Sequence, residues 1–416
     1  MLFNKNLITV YLFLGFLILY YFGSFSKVPF GDCMGFITDV EKQKFIFSTS
    51  VYAHFLFINS LILIKKIFPF FDSIEIGRWF SIFFGAISIS ILFRIIHLLT
   101  KNNWISILTS GIFGLSFSFW RNAEIVEIYT FNIFFIALFI LFSVKFYLEK
   151  KEKYLLITSF ILGISLWNHI QNILFIPGFI YLATLSNNKK LIVKSFIVFS
   201  ILFLSLFIIP IINKESILIV FKSVSNHKIS FNNLPKDIIR SIFFLSYNFW
   251  GFTILGFLGL FQLLKKHFSF ALFSLITSLP VFGFSTLFNV SDNYVFFLPF
   301  NFFFAFFISF GLISLQNKKI FKIIALSSLL IPTFYIISFF IFSKTEKGSL
   351  LNSEKQYKGG LRYYMLPWLN NNVGILETTI DNNHTQESID WMKNSAKEFI
   401  EIRLKKGDHL NEIKEK

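Results

Sequence analysis

Long apolar runs, one after another and punctuated by short lysine clusters, constrain this chain more than any other feature. They fall near residues 7–24, 77–97, 104–120, 128–148, 154–167, 169–186, 191–213, 241–264, 268–288, 294–315 and 320–343. At 1.5 Å per residue, about 20 apolar residues cross the hydrocarbon of a bilayer. Hydrophobic residues make up 55% of the chain and charged ones 15%, which excludes an ordinary soluble domain. The expectation is an all-α polytopic membrane protein of roughly 11 transmembrane helices. Its 63 Phe residues need no aromatic ligand groove. Phe, Ile, Lys and Asn are abundant together, as an AT-rich coding sequence would make them. The single cysteine, Cys33, excludes an internal disulfide framework and argues against a structural zinc site.

The net charge of +16 raises the question of nucleic acid, and the placement of the charge answers it. The lysines sit between apolar runs, where they set membrane topology, so no nucleic-acid partner is expected and the bilayer is. An N-terminus inside the cell puts Lys101, Lys150, Lys151, Lys153, Lys189, Lys190, Lys265, Lys266, Lys318 and Lys319 on the cytoplasmic side. The first apolar run is too long, and lacks a small-residue cleavage site, for a removed signal peptide. Phe45–Phe71 is apolar enough to tempt a further span but carries Ser48, Thr49, Ser50, His54, Lys65 and Lys66. A full crossing there would invert every later lysine cluster, so this segment is expected at the outer face or re-entrant. The loop Asn213–Arg240 is the one basic exception outside. Two regions result: a transmembrane domain, 1–343, and a polar extracytoplasmic tail, 344–416, too small for much core of its own and expected to pack on the first. The setting that fits is the inner membrane of a bacterium.

Four polar seams interrupt the apolar pattern, and this topology puts all of them on the extracytoplasmic side. The first is VPFGDCMGFITD with Asp32 and Asp39, and the second is FWRNAEIVEIYTFN with Arg121, Glu124, Glu127 and Tyr129. Asn168–His169 and Asp292–Asn293 are the others. An acid at a spanning helix centre costs roughly 2.5–3.5 kcal/mol, so such residues belong in loops at a membrane face and commonly mark a working site. Asp32, partly shielded by membrane and loop, is the candidate general base; a solvated loop acid is the plainer alternative. Glu124 and Glu127 are three apart and on a helical turn would share a face, with pairing to Arg121 as the alternative. His169 is as readily a hydrogen-bonded helix cap as a ligand, and Asp292 as readily caps the helix that follows. Arg78, Lys228 and Arg240 suit a lipid phosphate, or else anchor their helices at the headgroups. No Gly-rich phosphate loop, HExxH helix or GxSxG elbow is present.

These same residues carry a resemblance. SFWRNAEIVEIYTFN resembles a pattern of Trp, then Ala-x-x-x-Glu-x-Tyr and Asn, in a family of membrane glycosyltransferases related to protein O-mannosyltransferases. LGISLWNHIQNILFIP is similar to that family's Gly-Leu-x-x-x-Asn-His segment ending in proline. NVSDNYVFFLPF resembles its Asp-x-x-x-Phe-x-x-Pro segment, and RYYMLPWLNNNVG the stretch after its last span. The family includes the vertebrate enzyme that O-mannosylates plexin- and Met-type receptors and belongs to the wider GT-C fold; the likeness covers most of residues 30–370. It implies a GT-C fold with a large first outer loop, a polyprenyl-phosphate sugar donor, and a catalytic acid in that loop, which falls on Asp32. The family's Asp-Ser-Gly-Glu-Phe reads Asp32-Cys33-Met34-Gly35-Phe36 here. Its His-Pro-Pro-Gly-Tyr-Pro is replaced by Ser48-Thr49-Ser50-Val51-Tyr52.

The expectation is therefore an inverting glycosyltransferase that moves one sugar, mannose or another hexose, to a hydroxyl of a protein, lipid or glycan acceptor. Asp32 and Glu127 are the catalytic candidates. Asp39, Tyr52, Arg78, Arg121, Glu124, Tyr129, Asn168, His169, Lys228, Arg240 and Asp292 are the binding candidates. No cofactor is required, and a divalent Mg or Mn ion stays open. A flippase or transporter of lipid-linked saccharide is the alternative from another class. Transporters place ionisable groups at the midplane, often within internal repeats, and neither is visible here. A polysaccharide polymerase or ligase, and an inactive relative, are the other readings.

Overall fold

The computed structural model describes residues 4–23, 27–50, 53–222, 233–288, 290, 292–316, 319–370 and 372–416, and among them every regular element is helical. In chain order the first eight helices are α1 (Lys5–Gly23), α2 (Cys33–Lys42), α3 (Phe55–Ile67), α4 (Ser73–Thr100), α5 (Asn103–Gly114), α6 (Phe117–Glu124), α7 (Tyr129–Glu149) and α8 (Glu152–Ser165). α4 is the hub of this half: it packs on α1, α5 and α7, and α7 packs in turn on α8.

Among the described residues seven helices are long and apolar enough to span a membrane, or eight if the bent pair Leu234–Phe249 and Phe252–Lys266 counts as one span. The sequence pattern gave eleven. The difference lies in three stretches. Near 104–120 the chain breaks at Leu115–Ser116 into α5 and α6, of 12 and 8 residues. α8 has 14 residues, about 21 Å of helix, and the run after it, Ile170–Thr184, is also short. The break between these two falls at Asn168–His169, where the apolar pattern is interrupted. The expected span 241–264 bends by 100° around Trp250–Gly251. α3, at 13 residues, is likewise too short to cross alone.

Burial divides the spans. Asn293–Leu315 runs through the middle of the bundle with almost all of its surface covered, as a helix apolar on every side must. Lys5–Gly23, Lys189–Ile212 and Ile320–Ser343 lie at the periphery with most of their apolar surface uncovered. The central helix crosses Phe252–Lys266 closely. A Cβ on Gly259 would stand 1.7 Å from the Phe307 carbonyl oxygen, and one on Gly311 2.2 Å from that of Leu255, so both positions must lack a side chain.

Beyond the last span, the helices Glu346–Glu354 and Gly360–Met365 pack on Ile331–Ser343, and Ile375–Ile380 and Leu410–Lys414 pack on Asp390–Lys405. The helix Asp390–Lys405 lies along α2, and its buried Ala396, Phe399 and Ile400 join a second apolar core with Val28, Phe30, Met34 and Ile37. Val28 donates its N–H to the Lys416 carbonyl at 2.7 Å and accepts from Ile375 N at 3.0 Å.

Candidate functional site

Three of the four polar seams meet at one place. Gly31, at φ +134°, makes the turn that delivers Asp32 to the start of α2. Glu127 lies opposite, its Oε1 only 3.7 Å from where a Cβ on Gly31 would be, and it accepts from the Cys33 thiol at 3.6 Å. Asp292 comes from the loop before Asn293–Phe297, at the cap position of that turn, yet makes no capping bond to it. The three carboxylates sense one another. Burial pushes the Asp32 carboxyl up to about 6, and the Asp292 charge adds to that rise. Glu127 is pushed well above the carboxylate range, first by burial and then by Asp32 and Asp292. Asp32 is nevertheless exposed, as is Asp292, whereas Glu127 is buried. Asp32 is thus an acid that solvent or a substrate can reach, set in dense surroundings that oppose its charge.

Aromatic and imidazole rings line the approach. Tyr129, at the start of α7, faces His169 with ring centroids 6.1 Å apart, and His169 faces His54 at 5.5 Å. The charges of Arg121, Asp292 and Glu127 all act on the Tyr294 hydroxyl, the first opposing the other two. His54 sits in the left-handed region, φ 42°, just before α3, and burial lowers its imidazole to about 4, so it is neutral at pH 7. Thr49, Ser50, His54, Trp167 and Asn168 line a cleft beside these rings. Both amide atoms of the Asn168 side chain are buried without a hydrogen-bond partner among the described residues.

The remaining sequence candidates take other places. Glu124 and Glu127 do not share a helical face, because α6 ends at Glu124 and Ile125 is extended, at φ −115° and ψ 158°. Glu124 turns the other way. It accepts from Trp120 Nε1 and from the Leu369 backbone, with the charges of Arg78 and Arg121 acting on it. Arg121 does not pair with either glutamate; it donates to the Tyr363 carbonyl and lies over the Tyr363 ring at 4.3 Å. His169 caps the turn that follows it, its Nδ1 accepting from Gln171 N at 3.2 Å. Asp39 pairs with Lys42 at 3.3 Å, and Lys42 with Glu398 of the tail at 3.0 Å, two turns along α2 from Asp32. Arg78 pairs with Glu75 at 3.2 Å, and Arg240 with Asp237 at 3.1 Å. Tyr52 and Lys228 lie outside the described residues. Among the described residues no group of three or more His, Cys, Asp or Glu is arranged to hold a metal ion.

The structure adds Cys33, His54, Tyr294 and Tyr363, to which the sequence reading gave no role. Tyr294 and Tyr363 sit inside segments singled out there, but nothing in their local sequence says which ring faces the acids.

Residues 52–192 match the family model described as the protein O-mannosyl-transferase TMEM260 N-terminal domain. That range holds Glu124, Glu127, Tyr129, Asn168 and His169, and excludes Asp32, Asp292 and the tail. The whole fold matches that of ArnT from Cupriavidus metallidurans bound to undecaprenyl phosphate, a GT-C glycosyltransferase. The TM-score is 0.60 at 10% identity, over 98% of this chain and 76% of that one. The fold of this chain is ArnT-like. ArnT in the apo state matches almost as well, with a TM-score of 0.58 at 10% identity over 99% and 77% of the two chains. No curated protein matches by sequence. As in the expectation drawn from the resemblance, the fold is all-helical and of the ArnT-like GT-C type.

Proposed function

We propose that this protein transfers one hexose, mannose in the first instance, from a polyprenyl phosphate to an acceptor hydroxyl at the extracytoplasmic face of a bacterial inner membrane. The observation that carries this reading is the convergence of Asp32, Glu127 and Asp292, with Asp32 exposed and its carboxyl raised to about 6. A base with that pKa is ionised at neutral pH and still basic enough to take a proton in a transition state. Asp32 removes the proton of the acceptor hydroxyl as its oxygen attacks the anomeric carbon. The bond from that carbon to the phosphate oxygen breaks, and its electron pair leaves with the polyprenyl phosphate. Attack opposite the leaving group inverts the anomeric centre.

Glu127, kept protonated by burial and by its acidic neighbours, donates a hydrogen bond rather than a charge. Arg121 is the buried cation that shares Tyr294 with Glu127 and Asp292, and we assign the phosphate to it, ahead of Arg240, whose charge already meets Asp237. Tyr129, Asn168, His169 and Asp292 orient the sugar and the acceptor. The names of the two comparisons support the donor and the sugar: one is an O-mannosyl-transferase domain and the other a structure bound to undecaprenyl phosphate. With a guanidinium to balance the departing phosphate, the step as written calls on no metal ion, and turnover in EDTA checks that.

The deciding experiment offers purified protein in nanodiscs radiolabelled polyprenyl-phosphate mannose and, in parallel, the glucose form, with an acceptor-rich membrane extract. Release of free polyprenyl phosphate from either donor by the wild type supports the reading and identifies the sugar. No release from any hexose form, with the protein shown to be folded, sinks it and favours a transporter of the same lipid.

A further inference from the structure

The tail beyond the last span does more than cover the first loop. Tyr363, Met365, Leu369 and Asn372 of that tail bond to the loop before Asp32, to Arg121 and Glu124, and to Tyr247. The Tyr363 hydroxyl donates to the Phe30 carbonyl at 3.0 Å, two residues before Asp32. The same residue's carbonyl accepts from Arg121 Nη1, and its ring lies under the guanidinium. The Met365 carbonyl accepts from the Tyr247 hydroxyl at 2.7 Å, and the Leu369 backbone is bonded to Glu124. Asn372 closes a reciprocal pair with Lys27, accepting from its N–H at 3.2 Å and donating to its carbonyl at 3.1 Å. The loop that carries Asp32 is therefore tied to the tail before the acid, at Lys27, Val28 and Phe30. It is tied again after it, where Thr38 Oγ1 donates to the Ser395 carbonyl at 3.0 Å.

We infer that Tyr363 is a positioning residue that fixes the distance between the proton acceptor, Asp32, and the phosphate-binding guanidinium of Arg121. Its two polar groups are bonded one to each half of the site. The loop from Lys27 to Asp32 has no regular structure and includes Pro29 and the left-handed Gly31, so its own backbone bonds do not hold it. The buried Arg121 side chain has an Nε without a hydrogen-bond partner among the described residues, which leaves donor capacity for an anion once Tyr363 has set the plane of the guanidinium. Transfer needs the acceptor oxygen, the anomeric carbon and the phosphate in line. A displacement of about 1 Å between base and phosphate site can cost on the order of 100-fold in rate.

This inference rests on the proposed transfer for its catalytic consequence and not for its structural one, so two readouts are used on the full-length protein. Tyr363→Phe keeps the ring and the carbonyl but removes the bond to Phe30. Hydrogen exchange, which needs no substrate, should rise in residues 27–36 of that variant and stay unchanged across Asp390–Lys405. With polyprenyl-phosphate mannose as donor, kcat should fall roughly ten- to a hundredfold while KM for the donor stays within about twofold. Lys393→Ala, on a tail lysine that bonds only within the tail, to the Asn383 carbonyl at 3.1 Å, is the control and should match the wild type in both. Unchanged exchange in 27–36 overturns the inference whether or not the protein turns over that donor. Raised exchange with wild-type kcat overturns the catalytic part alone. A wild type that consumes no donor counts against the proposed function and leaves the exchange result to decide this one.

Discussion

Two clusters of acids, each with one buried glutamate, stand at opposite ends of α2, and they are built on opposite principles. At its C-terminal end Glu41 is enclosed by Lys406 at 2.5 Å, Arg403 at 3.6 Å and the Ser73 hydroxyl, and Asp72 by Arg403 at 3.2 Å and Lys416. Burial acts to raise both carboxyls, but these partners outweigh it and both end below the ordinary carboxylate range. At the N-terminal end burial and the neighbouring acids act on Asp32 and Glu127, and both are raised. The first arrangement is a joint: acid against base, joining α2, the start of α4 and the tail. The second keeps its acids basic, at a cost in stability, which is what a proton acceptor requires. Burial alone does not distinguish structural acids from chemical ones. The sign of their neighbours does.

Asp32→Asn is the strongest way to break this contrast. Loss of a general base commonly removes about 10²–10⁴ in rate. Donor turnover should fall by that factor, and the thermal midpoint should not fall, since the substitution removes a charge that its surroundings oppose. A variant that keeps wild-type turnover would exclude Asp32 as the base.

Glu41→Gln should do the reverse. An exposed ion pair is worth roughly 0–1 kcal/mol, and stripping one partner from a fully buried pair costs roughly 3–5. Glu41 is buried but Lys406 is exposed, so a loss of about 2 kcal/mol is expected, seen as a lower thermal midpoint and easier proteolysis of the tail. Turnover per folded molecule should change little. The linkage has a definite sign: the folded carboxyl lies below its unfolded value, so the contribution is present above about pH 4 and fades as the pH falls through the folded value. Loss of stability on raising the pH from 5 to 8 in the wild type, absent in the variant, would contradict it.

Periodicity made the membrane bundle legible, because apolar runs of spanning length have few other uses, and composition separated the tail. It overcounted spans wherever apolar sequence continued through a helix break, as at Leu115–Ser116 and Trp250–Gly251. Gly114 and Gly251 stand at those breaks, but a lone glycine within an apolar run does not by itself end a helix. The seams around Asp32, Glu127 and Asp292 were legible because acids are costly among apolar runs. That Glu124 turns to the tail and Glu127 to Asp32 was not legible. A spacing of three predicts a shared face only if the helix continues, and Ile125 ends it. Tyr363 was invisible for another reason: its role lies in two contacts more than 240 and 330 residues away in sequence, to Arg121 and Phe30.

The finest test concerns how much the acids at the site act on one another. Asp292 is the second cause of the raised Asp32 carboxyl, after burial. In the wild type, Asp32 accepts a proton only when ionised, so kcat/KM should fall about tenfold per pH unit below about pH 6 and level off above it. Asp292→Asn removes the repulsion and leaves the burial. The acid limb should therefore move to lower pH without reaching the unperturbed value near 4. Whatever Asp292 also does in orienting a substrate lowers the rate at every pH, so the informative quantity is the rate at pH 5 relative to that at pH 7. That ratio should rise, by less than about tenfold. A limb that moves upward would mean that Asp292 stabilises the charge on Asp32, through a shared proton or a bound cation, and the lower end of α2 would then be a joint like the upper one.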